Sequence, residues 1–152
     1  MLDKTITLFN RYRSDLLGDI WYPHVLKNVQ LIKDKASLKE KYGADSNDSA
    51  RLIVNAINNN GVITIDKLLY LPPKEWAAQV NDDLPATVTF NDNSETFDFF
   101  VEGDIGISEP VDDAEYKNGF YNYMNKKYDY CFAITSVGSG YSLIPHFEII
   151  AK

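Results

Sequence analysis

The sequence predicts an α+β fold that is mainly β: a small β-barrel or sandwich of short antiparallel strands with two or three short helices. One observation behind this is a series of short runs in which apolar and polar residues alternate, because side chains of an extended strand point to opposite faces with a period of two. Turn residues separate these runs, and helical spacing is confined to short stretches. The size is the third observation, since 152 residues with 45% hydrophobic side chains suit a single domain, residues 1–152, with a core of its own.

The first two predicted strands form a hairpin. Thr5–Tyr12 and Ile20–Leu26 alternate in character and flank turn residues at Ser14–Asp19. Pro23 has no amide hydrogen to give to a ladder, so we expect the second strand to lie at a sheet edge or to bulge there.

The middle of the chain combines strands, turns and short helices. Asp34–Gly43 has an aspartate cap, good helix formers and a final glycine, which predict a short helix. Arg51–Ile57 and Val62–Ile65 are predicted strands around an Asn-Gly turn, which tolerates positive φ. A helix at Lys74–Val80 follows a Pro-Pro pair and is expected to place Trp76 on the core.

The last part of the chain begins with two predicted strands, Ala86–Phe90 and Thr96–Glu102. In the second, Asp98 lies opposite two phenylalanines, so we expect one side of that strand to meet water. An apolar stripe at intervals of three and four predicts a helix that begins near Gly119.

The chain is predicted to close with a strand pair around a Gly-Ser-Gly turn at residues 138–140. Before the turn, one face of the first strand carries Tyr128, Tyr130, Phe132 and Ile134. The second strand is predicted over Tyr141–Ile150.

The net charge of −7 is unevenly distributed. Residues 82–115 carry eleven acidic side chains and no basic one, and we interpret them as an acidic, loop-rich excursion. Such a segment repels nucleic acid, because DNA affinity comes mainly from Lys and Arg at phosphates. Sequence-specific DNA binding is therefore not expected. The sequence shows no apolar run long enough for a signal or a membrane span, so a soluble cytoplasmic product is expected.

Few residues suggest catalysis. Cys131, the single cysteine, is interpreted as a small buried hydrophobe within a strand. His146 and Glu148 share a strand face and could begin a metal site, but zinc sites usually need three or four ligands. Phosphate-loop, dinucleotide and nucleophile-elbow motifs are missing from the sequence. We therefore predict a protein that is not an enzyme and has no cofactor.

Three stretches resemble one family along the whole chain: TITLFNRY with Trp21-Tyr22-Pro23, YLPPKEW at 70–76, and the closing GFY, DY, FAITSV and IPHFEI segments between 119 and 149. They are similar to small minor structural proteins of tailed bacteriophages and prophages, whose genes lie in the head-to-tail module. The resemblance implies a head-completion, or stopper-like, protein of the virion neck, made in the host cytoplasm. Such proteins are small β-barrels that form rings around the DNA channel, and the family brings no catalytic residues.

The partners implied by this resemblance are further copies of the chain in a sixfold or twelvefold ring, the portal or adaptor, and tail proteins. Double-stranded DNA would pass through without sequence-specific binding. Aromatic residues are the candidates for the subunit or partner interface: Trp21, Tyr22, Trp76, Phe120, Tyr121 and Tyr123. Acidic residues are the candidates for the channel face: Asp92, Glu95, Asp98, Glu102 and Asp104.

Three alternatives stay open from the sequence. A tail-terminator or another neck ring fits the same resemblance. A cytoplasmic ligand-binding β-barrel would use the aromatic residues to line a pocket. A metal-dependent hydrolase would need His146, Glu148 and the acidic segment to converge.

Overall fold

The computed structural model describes residues 2–16, 18–34, 49–80, 82–140 and 145–152. Its strands are β1 (Lys4–Ser14), β2 (Gly18–Asp34), β3 (Ser49–Asn55), β4 (Ile57–Asn59), β5 (Val62–Ile65), β6 (Leu68–Tyr70), β7 (Thr87–Val88), β8 (Phe99–Glu102), β9 (Val111–Asp112), β10 (Cys131–Gly140) and β11 (His146–Ala151). Its α-helices are α1 (Pro73–Ala77) and α2 (Phe120–Lys127).

A closed antiparallel barrel forms the body of the protein. Its six strands follow the order β1-β8-β10-β11-β3-β2, and β2 pairs back with β1 to close the ring. Every strand contributes apolar side chains to the interior, among them Leu8, Leu52, Phe100, Phe132 and Ile149. The fold class predicted from the sequence, mainly β with a small barrel and short helices, is therefore confirmed.

A second sheet, in the order β4-β5-β6-β7, packs against the barrel. Alternation along its strands gives it two different faces. Ile63, Ile65, Leu68 and Tyr70 pack on the barrel core, whereas the opposite face is directed to solvent.

Helix α2 covers one outer side of the barrel, which we call the covered wall. The outward-facing residues Phe9, Trp21 and Phe99 are fully buried there together with Phe120 of α2. Their rings form close contacts, with centroids 4.9 Å apart for Phe9 and Phe99 and 5.1 Å apart for Phe9 and Phe120. This wall is thus a second apolar layer outside the barrel.

The start of α2 is fixed by a carboxylate from outside the helix. Gly119, at its N-cap, has φ of 89°, a left-handed conformation that favours glycine. Oδ1 of Asp113 accepts hydrogen bonds from the Phe120 amide at 2.8 Å and from the Trp21 indole at 2.9 Å. Asp113 therefore caps α2 and ties the helix to β2.

The opposite outer side of the barrel, which we call the bare wall, is formed by β2, β3 and β11. Ile32 and Ile150 both pair with Arg51 on this surface, and they are 47% and 39% exposed. Within the described residues, no helix lies over this row.

Several local predictions are confirmed. The hairpin of β1 and β2, the Asn-Gly turn before β5 and the helix that begins after Gly119 all form. Trp76, a residue of α1, is buried. Pro23 lies in the part of β2 that pairs with β1 alone.

Other predictions are wrong or lie beyond the described residues. Residues 138–140 continue β10 instead of forming a turn, and Tyr128 and Tyr130 precede that strand. In the predicted helix at Asp34–Gly43, Asp34 ends β2, and the rest lies outside the described residues. No helix in the described part of the chain is both long enough and apolar enough to cross a membrane.

Candidate functional site

The solvent-directed face of the small sheet, which we call the outer sheet face, carries three exposed aliphatic side chains. Ile57 is 69% exposed and Val62 is 52% exposed, and Leu69 completes the row. Thr64 of β5 lies between Ile57 and Leu69, since it pairs with both, and Val62 lies two residues before Thr64 on the same face of β5. Exposed apolar side chains grouped on one face mark candidate interaction sites in soluble proteins.

The aromatic residues predicted to form an interface mostly lie in the core instead. Trp21 and Phe120 are buried in the covered wall, and Tyr22 and Trp76 are buried in a smaller cluster with Leu84. For these four residues the predicted interface position is wrong, because intramolecular contacts already bury their rings.

The other two aromatic candidates reach the surface. Tyr121 is half-buried, with its ring centroid 4.9 Å from Phe97 and 5.1 Å from Phe99. Burial raises the pKa of its hydroxyl to about 12. Tyr123, on the solvent side of α2, is exposed. These two positions remain available for contacts with a partner.

Asp98 is buried, with 1% of its surface exposed, so the prediction that it meets water is wrong. Its carboxylate accepts three hydrogen bonds of 2.9 Å, from the Arg11 amide, the Asn91 amide and Nδ2 of Asn10. The same Asn10 amide group donates to the Thr89 carbonyl at 2.7 Å. Asp98 thus links Asn10 and Arg11 of β1 to Asn91. Because it is buried, it cannot belong to a solvent-facing acidic surface.

The electrostatics of Asp98 reflect its burial. Loss of solvent raises the pKa of the carboxyl to about 7, against the hydrogen bonds from Arg11, Asn91 and Asn10, which lower it. Near neutral pH this buried group therefore changes charge inside the fold.

The remaining acidic candidates are at or near the surface. Asp92, Glu95 and Asp104 are exposed, and their position at a channel face stays a prediction. Glu102 is partly buried and binds Nζ of Lys33 through both oxygens, at 2.9 and 3.0 Å. Within residues 82–115, β8 is a barrel strand, so only parts of this acidic segment are loops.

Among the described residues, His146 and Glu148 gain no third metal ligand. His146 Nε2 lies 3.6 Å from Glu148 Oε1, and no three His, Cys, Asp or Glu side chains gather as metal ligands among the described residues. Cys131 is buried in the covered wall, and its burial raises the pKa of the thiol to about 12. The interpretation of Cys131 as a small core residue is confirmed.

The whole chain, residues 1–152, matches one family model, described as a family of unknown function, DUF6751. The chain belongs to this family. No curated protein and no solved structure matches it. This DUF6751 protein thus contains a six-stranded barrel, a covered wall and an outer sheet face.

Sequence reasoning did not single out Arg11, which borders a surface groove of about 480 Å³ in this DUF6751 protein. Its guanidinium lies 4.7 Å from the centre of the Trp21 ring, and its Nη1 donates to the Glu95 carbonyl at 2.9 Å. Asp19 forms an ion pair with it at 3.0 Å. Arg11 of β1 is thus held by contacts within the chain, which link the loop before β8 to β2.

Proposed function

We propose that this DUF6751 protein is a structural subunit of the neck of a tailed bacteriophage or prophage. In this proposal it is a head-completion, or stopper-like, ring subunit that joins the portal and adaptor to the tail around the DNA channel. The resemblance of the sequence to such proteins supports the proposal, and so does the small β-barrel that the structure contains.

The outer sheet face carries the proposal. Ring subunits need surfaces that bury apolar area against neighbouring subunits, and the centre of such interfaces is depleted of charged residues. Ile57, Val62 and Leu69 provide three exposed aliphatic side chains around Thr64, with no charged residue among these four, on a chain of net charge −7. We assign this row, in place of the buried aromatic residues, as a subunit contact.

The exposed acidic residues fit a channel around DNA. Asp92, Glu95 and Asp104 all lie in a part of the chain without basic side chains. Like charges repel, so such a surface would keep DNA from adhering as it passes. A tail-terminator or another neck ring would use the same features, and it remains the second candidate.

The barrel interior favours a structural role over a ligand-binding barrel. Apolar side chains from all six strands meet inside it, and the large rings of Phe100 and Phe132 lie 5.7 Å apart between their centroids. A ligand inside the barrel would have to displace this packed core, which is costly in a close-packed interior.

Native mass spectrometry tests the proposal, using the protein alone and mixed with its candidate portal or adaptor. We expect a sixfold or twelvefold species, alone or with the partner. The double substitution Ile57→Lys and Leu69→Lys should abolish it, because two buried charges would then oppose subunit contact. Ile150→Lys, on the bare wall, is the matched control and should leave the ring intact.

Two results would count against this function. A protein that stays monomeric and binds neither portal, adaptor nor tail proteins would contradict the proposed ring. A ring that survives the double substitution would show that the outer sheet face is not the subunit contact.

A further inference from the structure

The edge of β2 that faces away from β1 is open over part of its length. β9 pairs with β2 at Ile20 and Trp21, and β3 pairs with it at Gln30–Asp34. Among the described residues, the stretch between these pairings forms ladder pairs with β1 alone. We call this stretch, residues 22–29, the open edge.

Two hydrogen bonds of β1 show which residues in the ladder of β1 and β2 direct their backbone groups outwards. The Arg11 amide donates to Asp98 at 2.9 Å, and the Thr5 carbonyl accepts from the Gly103 amide at 2.7 Å. The odd-numbered residues of β1 therefore direct their backbone groups away from β2. In an antiparallel ladder, such residues form the non-hydrogen-bonded pairs, and their opposite residues also point outwards.

Pro23 and Val25 stand opposite odd-numbered residues of β1. The N–H and C=O groups of Val25 and the C=O group of Pro23 therefore point away from β1, on the open side of β2. Lys27, the next residue with this orientation, donates its amide to Oδ2 of Asp66 at 3.0 Å. The described residues provide no comparable partner for the Val25 amide.

A groove of about 410 Å³ runs beside these backbone groups. Its lining combines apolar Leu68 and Ile107 with acidic Asp66 and Asp104, and no Lys or Arg of the described residues contributes a side chain to it. Both carboxylates belong to exposed residues. The groove therefore combines exposed carboxylates, apolar side chains and outward-pointing backbone groups of β2.

We propose that the open edge binds an extended, basic segment of a partner protein, which adds to β2 as a further strand. Main-chain hydrogen bonds to Val25 and Pro23 would supply the pairing, as in other cases of strand addition. Lys or Arg side chains of the segment would meet Asp66 and Asp104, and its apolar side chains would contact Leu68 and Ile107. This proposal does not depend on the neck function.

Fluorescence anisotropy tests the proposal with two labelled hexapeptides and the full-length protein. One peptide alternates Lys and Val, and the other has Glu in place of each Lys. The Lys peptide should bind, and the Glu peptide should bind at least about tenfold more weakly, a factor that corresponds to about 1.4 kcal/mol. Added salt should weaken the binding of the Lys peptide.

Val25→Pro is the decisive variant, because it removes the outward amide without removing a hydrogen bond to β1. It should weaken binding of the Lys peptide about tenfold, the scale expected for loss of a hydrogen bond. Val25→Ala keeps the amide and should bind as the parent protein does. Circular dichroism and thermal unfolding establish that each variant is folded.

If Val25→Pro does not fold, Asp66→Asn with Asp104→Asn keeps the backbone unchanged and should lower affinity for the Lys peptide alone. The proposal is overturned if the Glu peptide binds equally well, if neither peptide binds, or if a folded Val25→Pro protein retains full affinity. It is also overturned if the edge is occupied by a second copy, seen as a dimer that Val25→Pro abolishes. All these readouts use the protein without portal or tail, so they are separate from the ring test.

Discussion

The two outer walls of the barrel show how similar strands acquire different surfaces. On the covered wall, Phe9 and Phe99 point out of the barrel and are fully buried by α2. On the bare wall, Ile32 and Ile150 point out of the barrel and remain 47% and 39% exposed. Both walls have apolar residues at outward positions, and the difference between them is the element that lies on top.

This difference decides where stability resides. The covered wall buries rings from four separate segments, including Trp21, and edge-to-face and stacked pairs of aromatic rings contribute beyond the area that they bury. The bare wall contributes little to the free energy of unfolding, because its outward aliphatic side chains remain partly in water. We therefore expect substitutions on the two walls to differ severalfold in their effect on the free energy of unfolding.

The largest effect is expected where α2 meets the covered wall. Phe120→Ala should lower the free energy of unfolding by about 3–5 kcal/mol, because it leaves a cavity among Phe9, Trp21 and Phe99. Urea unfolding measures this loss.

Two controls sharpen this prediction. Tyr123→Ala removes an exposed ring from the same helix, and Ile150→Ala removes a side chain from the bare wall. Each should cost less than about 1 kcal/mol. Equal losses for Phe120→Ala and Ile150→Ala would contradict the distinction between the walls.

The barrel strands could be predicted from the sequence because their signals are local. Alternation, Asn-Gly and Pro positions act over a few residues, and they correctly indicate the hairpin of β1 and β2 and the turn before β5. The covered wall depends on long-range contacts, such as the hydrogen bond between Trp21 and Asp113, which are 92 positions apart. No local pattern reveals that contact, so Trp21 and Phe120 were expected at an interface.

A second effect concerns Asp98, just before β8, where the covered wall adjoins the barrel interior. Its pKa is about 7 in the folded protein, and burial is the main cause, whereas the ordinary value is 3.8. The folded state therefore holds the proton more tightly than the unfolded state does. Stability from this group is fully present below pH 4, falls as the pH rises towards 7, and then levels off.

The size of this loss is on the order of 4 kcal/mol, from about 1.4 kcal/mol for each unit of pKa. Urea unfolding at a series of pH values measures it. Asp98→Asn cannot titrate, so the difference between the parent and this variant isolates Asp98 from all other groups. Parallel curves for the two proteins between pH 4 and pH 7 would refute the prediction.

Asp98 also shows why part of the candidate site could not be predicted. Alternation places Asp98 opposite Phe97 and Phe99, and an acidic residue normally marks the wet face of a strand. Here both faces are buried, because Phe100 points into the barrel and Phe99 points into the covered wall. A carboxylate is tolerated between them because three donors satisfy it, and the sequence gives no sign of those donors.

The smallest effect that we predict concerns the attachment of α2 to the wall. Asp113→Ala removes the acceptor of the Trp21 indole and of the Phe120 amide, and it should lower the free energy of unfolding by about 1–3 kcal/mol. Near-ultraviolet circular dichroism should change as well, because Trp21 loses the bond that fixes its ring. Asp112→Ala is the matched control, since Asp112 caps only the Ala114 amide at an exposed site, and it should cost less than about 1 kcal/mol. If both variants lose the same stability, Asp113 acts only as a local turn residue, and α2 is held on the wall by its apolar contacts alone.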